Sequence, residues 1–272
     1  MNIGLDAVRW PKHDADRHEW GRRIVAKPSN LKDYSALRRA IEAARPKGTA
    51  RESLASARGL LLSWVQAAET HGVPFSEALR RIRSGAAARQ ISGAAAEAQT
   101  AAGQGIAAEA ACAPGCAFCC ILRGDDGGTI SADEAETLHA ALIDLRGEPD
   151  GRSWHPDACA SLDPKTRMCR VYGARPMICR TYMSVDVSAC EKLVEGTPSN
   201  GTGVLGAQAI HMSLLALSRA VLLGRSMVQT YSMSTIARMA VEGASLDDAL
   251  AAARHGPKGL VEELERLASA RK

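Results

Sequence analysis

The chain has 272 residues, 46% of them apolar, with much alanine and only ten Phe, Trp or Tyr. That length builds one large domain or two small ones with a real core, and an alanine-rich, aromatic-poor chain favours close-packed helices over sheets. A net charge of +4 is too small to imply nucleic-acid binding. No stretch reads as a membrane span: the best candidate, residues 203–223, carries His211 and Arg219 and several small or polar residues. The first twenty residues hold no apolar signal-peptide core, so a cytoplasmic location is expected.

Residues 1–30, with Pro11 and Pro28, read as an extended arm. A first helix is predicted over 35–45, stopped by Pro46. A second covers 52–70, with Leu60, Leu61, Trp64, Val65 and Ala68 as its apolar stripe, and ends at Gly72 and Pro74. A third runs over 76–83. Residues 85–105 mix alanines, which favour helix, with glycines, which oppose it, and are predicted as a helix of moderate stability leading into the cysteines. Residues 123–128 form a turn, Thr129 and Ile130 are β-prone, and Ser131-x-x-Glu134 fits a capping box opening a helix to about 145. Residues 151–200 read as irregular. Helices follow over 204–223, 231–241, 246–254 and 258–270, punctuated by Gly224, Gly243 and Gly256-Pro257.

All eight cysteines lie between positions 112 and 190: Cys112, Cys116, Cys119, Cys120, Cys159, Cys169, Cys179 and Cys190. Their confinement marks a region that uses thiolates as ligands, since clustered cysteines in a reducing compartment bind metal or do redox chemistry rather than form a disulfide framework. The block CAPGCAFCC has the C-x3-C-x2-C spacing of the cluster motif of radical-SAM enzymes. The 152 residues after Cys120 read mostly as helices, however, not as the strands of a partial barrel. Cys116-x-x-Cys119 lacks the βαβ setting of a thioredoxin motif. Adjacent side chains diverge, so Cys119 and Cys120 are expected to face different metals or different faces of one cluster. Cys159, Cys169 and Cys179 stand ten residues apart, enough for each loop to return to a common centre. Two sites of four thiolates, or one cluster plus one zinc, fit the count.

Pro176 suits the first turn of a helix, which places Cys179 at a helix N-terminus where N–H groups lower a thiol's pKa. Arg170, Arg175 and Arg180 stand close enough in sequence to offset thiolate charge by hydrogen bonds, or else to form ordinary surface pairs, and Tyr172 and Tyr182 are expected to pack around the metal region. The remaining candidates carry less. His155 and Asp157 precede Cys159 and either join a metal site or are solvated. His211 on an apolar helix reads as a packed core histidine. Asp125-Asp126 and Asp247-Asp248 read as turn and cap residues rather than paired acids, and GTGVLG at 201–206 follows no clear strand.

CAPGCAFCC followed by CASLDPKTRMCRVYGARPMICRTY resembles the YkgJ-type cysteine-cluster family. The likeness rests on the C-x3-C-x2-C-C block, the Cys159…Cys169 pair and the block Cys169-Arg-x-Tyr172-x-x-Arg175-Pro176-x-x-Cys179-Arg180, and covers about residues 110–190. It implies zinc or iron chelation. Flagellin lysine N-methylases are similar in cysteine pattern, which would imply an iron-sulfur cluster and SAM-dependent methylation of a protein side chain.

The expectation is therefore a mainly α protein: an N-terminal arm and helices (1–105), a cysteine-rich metal-binding module (106–200) and C-terminal helices (201–272). The module binds an iron-sulfur cluster, with [4Fe-4S] favoured by the triad, or zinc, through up to eight thiolates. Arg170, Tyr172, Arg175 and Arg180 surround it, and the helices scaffold the module and a protein partner. The alternatives are an iron-sulfur enzyme using SAM, and a metal delivery or sensing protein.

Overall fold

The computed structural model describes residues 31–103, 105–122, 126–197, 199–200 and 202–269. The expected arm and the first half of the expected 123–128 turn lie outside these residues. The fold is mainly α, with eleven α-helices and two two-stranded sheets among the described residues.

Helix α1 (Tyr34–Ala43) starts where the Asp33 carboxylate accepts the Ala36 N–H at 2.7 Å, and it buries Tyr34, Leu37 and Ile41. Helix α2 (Arg51–Thr70) buries Ser53, Ala57, Leu61, Val65 and Ala68, a stripe of helical period. Helix α3 (Phe75–Ser84) meets α4 (Ala86–Ala101) at Gly85, whose φ of +90° forms the corner. A Cβ at Gly85 would lie 2.4 Å from the Ser131 Cβ, so the corner sits directly on the start of the next unit. That unit is strand β1 (Thr129–Ser131) and helix α5 (Ala132–Leu142), continued by a 3-10 turn to Leu145.

The segment expected to be irregular is more ordered than its composition suggested. It holds a five-residue helix α6 (Met177–Thr181), strand β2 (Tyr182–Ser184) and helix α7 (Val187–Val194). Pro176 supplies the N-cap position of α6, and the Asp186 carboxylate caps α7 by accepting the Ser188 N–H at 2.8 Å. Strand β3 (Thr202–Val204) lies within GTGVLG and pairs antiparallel with β2, Met183 opposite Gly203. Then come α8 (Gly206–Val221), β4 (Thr230–Ser232), α9 (Met233–Val241), α10 (Leu246–Ala253) and α11 (Gly259–Ser269). Strand β4 pairs antiparallel with β1, Ile130 opposite Tyr231.

Packing does not follow chain order. Helix α8 is buried nearly all round, and its Met212, Leu214, Leu215 and Leu217 join Leu37, Ile41, Leu61 and Ile82 of α1–α3 and Leu260 and Leu264 of α11 in one core. A second core joins Ile130, Ala135, Leu138 and Leu142 to Tyr231, Met233, Ile236, Ala240 and Ala249. Cys159, Cys169, Ile178 and Cys179 pack against this second core. Helices α4 and α8, which stand on either side of the cysteine region in sequence, both contact α6, the helix that carries Cys179.

Candidate metal centre

The nonapeptide is a turn followed by a single 3-10 turn. Gly115 adopts φ +82°, the Cys116 N–H donates to the Ala113 carbonyl at 3.0 Å, and residues Phe118–Cys120 wind into the 3-10 turn. Residues 120–122 then run beside 157–159. The Cys159 N–H donates to the Cys120 carbonyl at 2.7 Å, the Leu122 N–H to the Asp157 carbonyl at 2.7 Å, and Ile121 bridges Ala158. A tight hairpin returns the chain from Leu162 to Cys169, closed by Asp163 N–H to Met168 O at 2.9 Å and Arg170 N–H to Ser161 O at 2.9 Å. The Asp163 carboxylate caps this loop by accepting from Lys165 N, Thr166 N and the Thr166 hydroxyl. Close approach fixes Gly151, because a Cβ there would lie 2.3 Å from the Cys159 carbonyl oxygen.

Cys120, Cys159 and Cys169 pack with Ala117, Ala158 and Leu162. Cys179, third in α6, donates its S–H to the Met233 sulfur at 3.4 Å. Met233 stands 54 residues further on, and no spacing in the sequence points to it. On the other side, the Ala111 N–H donates to the Ser184 carbonyl at 2.8 Å, and the Cys112 thiol reaches the same oxygen at 3.9 Å. The Ser184 hydroxyl hydrogen-bonds the thiol of Cys190, which is buried in α7. Ser184 is a second contact that the sequence did not signal.

All eight thiols are free. Burial pushes up the thiols of Cys159, Cys169, Cys179 and Cys190, followed by the charge of neighbouring cysteines, which at Cys159 comes after that of Asp150. The Cys120 thiol is also pushed up, first because it donates its S–H to Cys119. Cys119 receives that bond, has Arg175 nearby, and is brought down to about 7. The expectation that a helix terminus lowers the Cys179 pKa is overturned. Helix α6 has five residues, and burial beside Cys159, Cys119 and Cys169 raises Cys179 well above the ordinary thiol value.

The arginines act at a distance. Arg170 pairs with Glu148 at 3.0 Å and donates to the Ala160 carbonyl at 3.2 Å, leaving its buried Nε without a partner. Arg175 stacks on the Tyr172 ring at 3.4 Å from its centroid, and its charge favours the thiolates of Cys119, Cys169 and Cys179. Arg180 donates to the carbonyls of Arg175 and Gly173, which fixes the backbone before α6. Tyr172 is 64% exposed, so it covers Arg175 rather than lining a thiol pocket.

Of the other candidates, His155 accepts the Asp157 N–H at 3.1 Å, a local turn contact. Ser245 caps α10 by accepting the Asp248 N–H at 3.2 Å, and the Asp248 carboxylate accepts the Ser245 hydroxyl at 2.7 Å. Asp126 faces His255 at 3.2 Å, and Asp125 lies outside the described residues. His211 is buried as expected, but in a polar setting. Its Nε2 lies 3.2 Å from Glu134 Oε2 and its Nδ1 2.9 Å from Ser92 Oγ.

No three Cys, His, Asp or Glu side chains among the described residues are drawn together closely enough to hold a metal ion. The donor chemistry nevertheless fits one. Several buried or half-buried thiols lie together, unpaired by disulfides, and ionising Cys120, Cys159, Cys169 or Cys179 is opposed by burial and by neighbouring cysteines. A cation that draws them in removes that repulsion, and soft zinc or iron suits thiolate donors.

Residues 111–197 match the model of the CxxCxxCC family, described as a "putative zinc- or iron-chelating domain". The match contains all eight cysteines. Neither a curated protein nor a solved structure matches the chain. No helix among the described residues is long and apolar enough to cross a membrane.

Proposed function

We propose that this protein binds zinc or an iron centre through the thiolates of its cysteine-rich module, with the surrounding helices holding the module in place. The observation that carries the reading is the gathering of Cys120 from a 3-10 turn, Cys159 and Cys169 from a hairpin and Cys179 from α6 at two adjoining apolar clusters that share Cys159 and Cys169, free of disulfides and each resisting ionisation. Such a group is stable as thiols or as a metal complex, and the family match over residues 111–197 supports the second. The C-x3-C-x2-C spacing favours iron-sulfur, whereas a closed four-thiolate set suits structural zinc. Arg175 and Arg170 offset the negative charge of a thiolate complex without touching it.

The test is anaerobic purification followed by zinc, iron and acid-labile sulfide analysis and a visible spectrum. Bound zinc without colour assigns zinc, and a brown protein with iron and sulfide assigns the cluster. A protein that is metal-free as isolated and takes up neither zinc nor iron under reducing conditions would refute the reading.

A further inference from the structure

We infer that the eight cysteines form two separate metal centres divided between Cys119 and Cys120: an outer one on Cys112, Cys116, Cys119 and Cys190, and an inner one on Cys120, Cys159, Cys169 and Cys179. This deepens the metal-binding reading and rests on it.

The division is visible in the backbone. Ser184, at the end of β2, organises the outer group. Its carbonyl receives the Ala111 N–H and faces the Cys112 thiol, and its hydroxyl bonds the Cys190 thiol. Helix α7, which carries Cys190, packs on the 3-10 turn Phe118–Cys120, where Cys119 is exposed. The thiols acting most strongly on Cys190 are Cys116, Cys119 and Cys112.

The inner group is assembled by different contacts. The pairing of 120–122 with 157–159 sets Cys120 beside Cys159, and the Leu162–Cys169 bridge returns Cys169 to the same place. The α6 helix adds Cys179 from the side of the second core, against Met233. The thiols acting on Cys179 are Cys159, Cys119 and Cys169. Cys119 is felt by both groups. Cys120 belongs with the inner set, since its own carbonyl holds the Cys159 N–H. The Cys119 thiol receives the Cys120 S–H at the boundary of the two groups, but Cys119 is exposed on the turn that meets α7 whereas Cys120 packs with Cys159 and Cys169, which leaves Cys119 to complete the outer set. A tetrahedral thiolate site takes four ligands, so the eight divide evenly.

The test uses the full chain, stripped of metal and titrated with zinc alone under reducing conditions, with bound zinc measured after desalting and helix content checked by circular dichroism. Wild type is expected to retain about two equivalents. Cys190→Ser and Cys169→Ser should each retain about one equivalent, and the double variant about none. Cys112→Ser and Cys120→Ser repeat the outer and inner tests if a buried substitution impairs folding. The two centres should also differ in what they stabilise. Loss of the inner zinc lowers the thermal midpoint more than loss of the outer, because the inner thiols pack against the second core. The partition is overturned if wild type holds a single equivalent, if either single variant loses all its zinc, or if Cys190→Ser and Cys112→Ser affect different equivalents. A wild-type chain that binds no zinc and carries no iron overturns the metal-binding reading itself, a distinct result.

Discussion

Replacing Glu134 by Gln tests how the helical scaffold is tied to the cysteine region. Glu134 is 2% exposed and accepts four hydrogen bonds. Its Oε1 takes the Met177 N–H at 2.8 Å, and its Oε2 takes the Ser131 N–H at 2.8 Å, the Ser131 hydroxyl at 2.9 Å and His211 Nε2 at 3.2 Å. Ser92 donates its own hydroxyl to the Ala88 carbonyl at 2.6 Å, so its oxygen accepts from His211 Nδ1. His211 thus bridges Ser92 and the Glu134 carboxylate, and a charge on the imidazole favours the ionised carboxyl. Burial alone would raise the Glu134 pKa. The His211 charge and the Ser131 and Met177 donors outweigh it, and hold the carboxyl at about 2 against an ordinary 4.5. At about 1.4 kcal/mol per pH unit, that difference contributes about 3 kcal/mol of stability. The depressed carboxyl contributes fully above its ordinary value, and the contribution is lost as pH falls from about 4.5 toward 2. Glu134→Gln keeps the shape but removes the charge that the Ser131 and Met177 N–H groups and His211 favour, at a cost of about 3 kcal/mol near neutral pH. Urea unfolding followed by circular dichroism at pH 7, 5 and 3 measures it. The gap between variant and wild type should be large at pH 7 and 5 and narrow at pH 3. A loss below about 1 kcal/mol at pH 7, or a gap that does not change on acidification, would refute the assignment of Glu134 as a buried, hydrogen-bonded carboxylate. Glu134→Gln combined with His211→Gln should cost less than the sum of the two single changes, because the pair is removed together.

Two further substitutions follow from packing. Gly151→Ala places a methyl 2.3 Å from the Cys159 carbonyl oxygen, so the loop that carries Cys159 must shift. Unfolding should show a loss of about 1–3 kcal/mol, with weaker zinc retention, and unchanged stability would mean that the two loops are not in contact. Leu215→Ala in α8 empties a fully buried position shared with α2 and α4. It should cost about 2–5 kcal/mol while leaving zinc stoichiometry unchanged, since Leu215 belongs to the first core and the thiols to the second. A variant that loses metal along with this stability would show that the two cores do not act separately.

The helices were legible because their signals are local. Tyr34, Leu37 and Ile41 repeat at helical spacing, Ser131 and Glu134 stand at capping-box spacing, and Gly72 and Pro74 close α2. The cysteine region was legible because eight residues of one reactive type fall in one stretch. What could not be read depends on contacts distant in sequence. The pairing of Ile130 with Tyr231 joins residues about a hundred positions apart, and strands of three residues carry too short an alternation to announce themselves. Met233 meets Cys179 only because α9 and α6 flank the same core. The acid that joins His211 was already visible as a cap residue, and one carboxylate doing two things has no signature in spacing.

That double role gives the fold its connection to the metal site. Glu134 caps α5 through Ser131, receives the first N–H of α6 through Met177, and faces α8 through His211, which Ser92 links to α4. Cys179 lies two residues after Met177, so the carboxylate that anchors the scaffold also sets the origin of the helix carrying an inner cysteine. Metal loss and scaffold loss should therefore be coupled in one direction more strongly than the other. Disrupting Glu134 displaces α6 and weakens the inner centre, whereas removing metal leaves the Glu134 hydrogen bonds and the first core intact. Chelation should accordingly lower the thermal midpoint less than Glu134→Gln does. The reverse order would mean that the metal organises the scaffold, and that the four helices meeting at Glu134 fold around a site already filled.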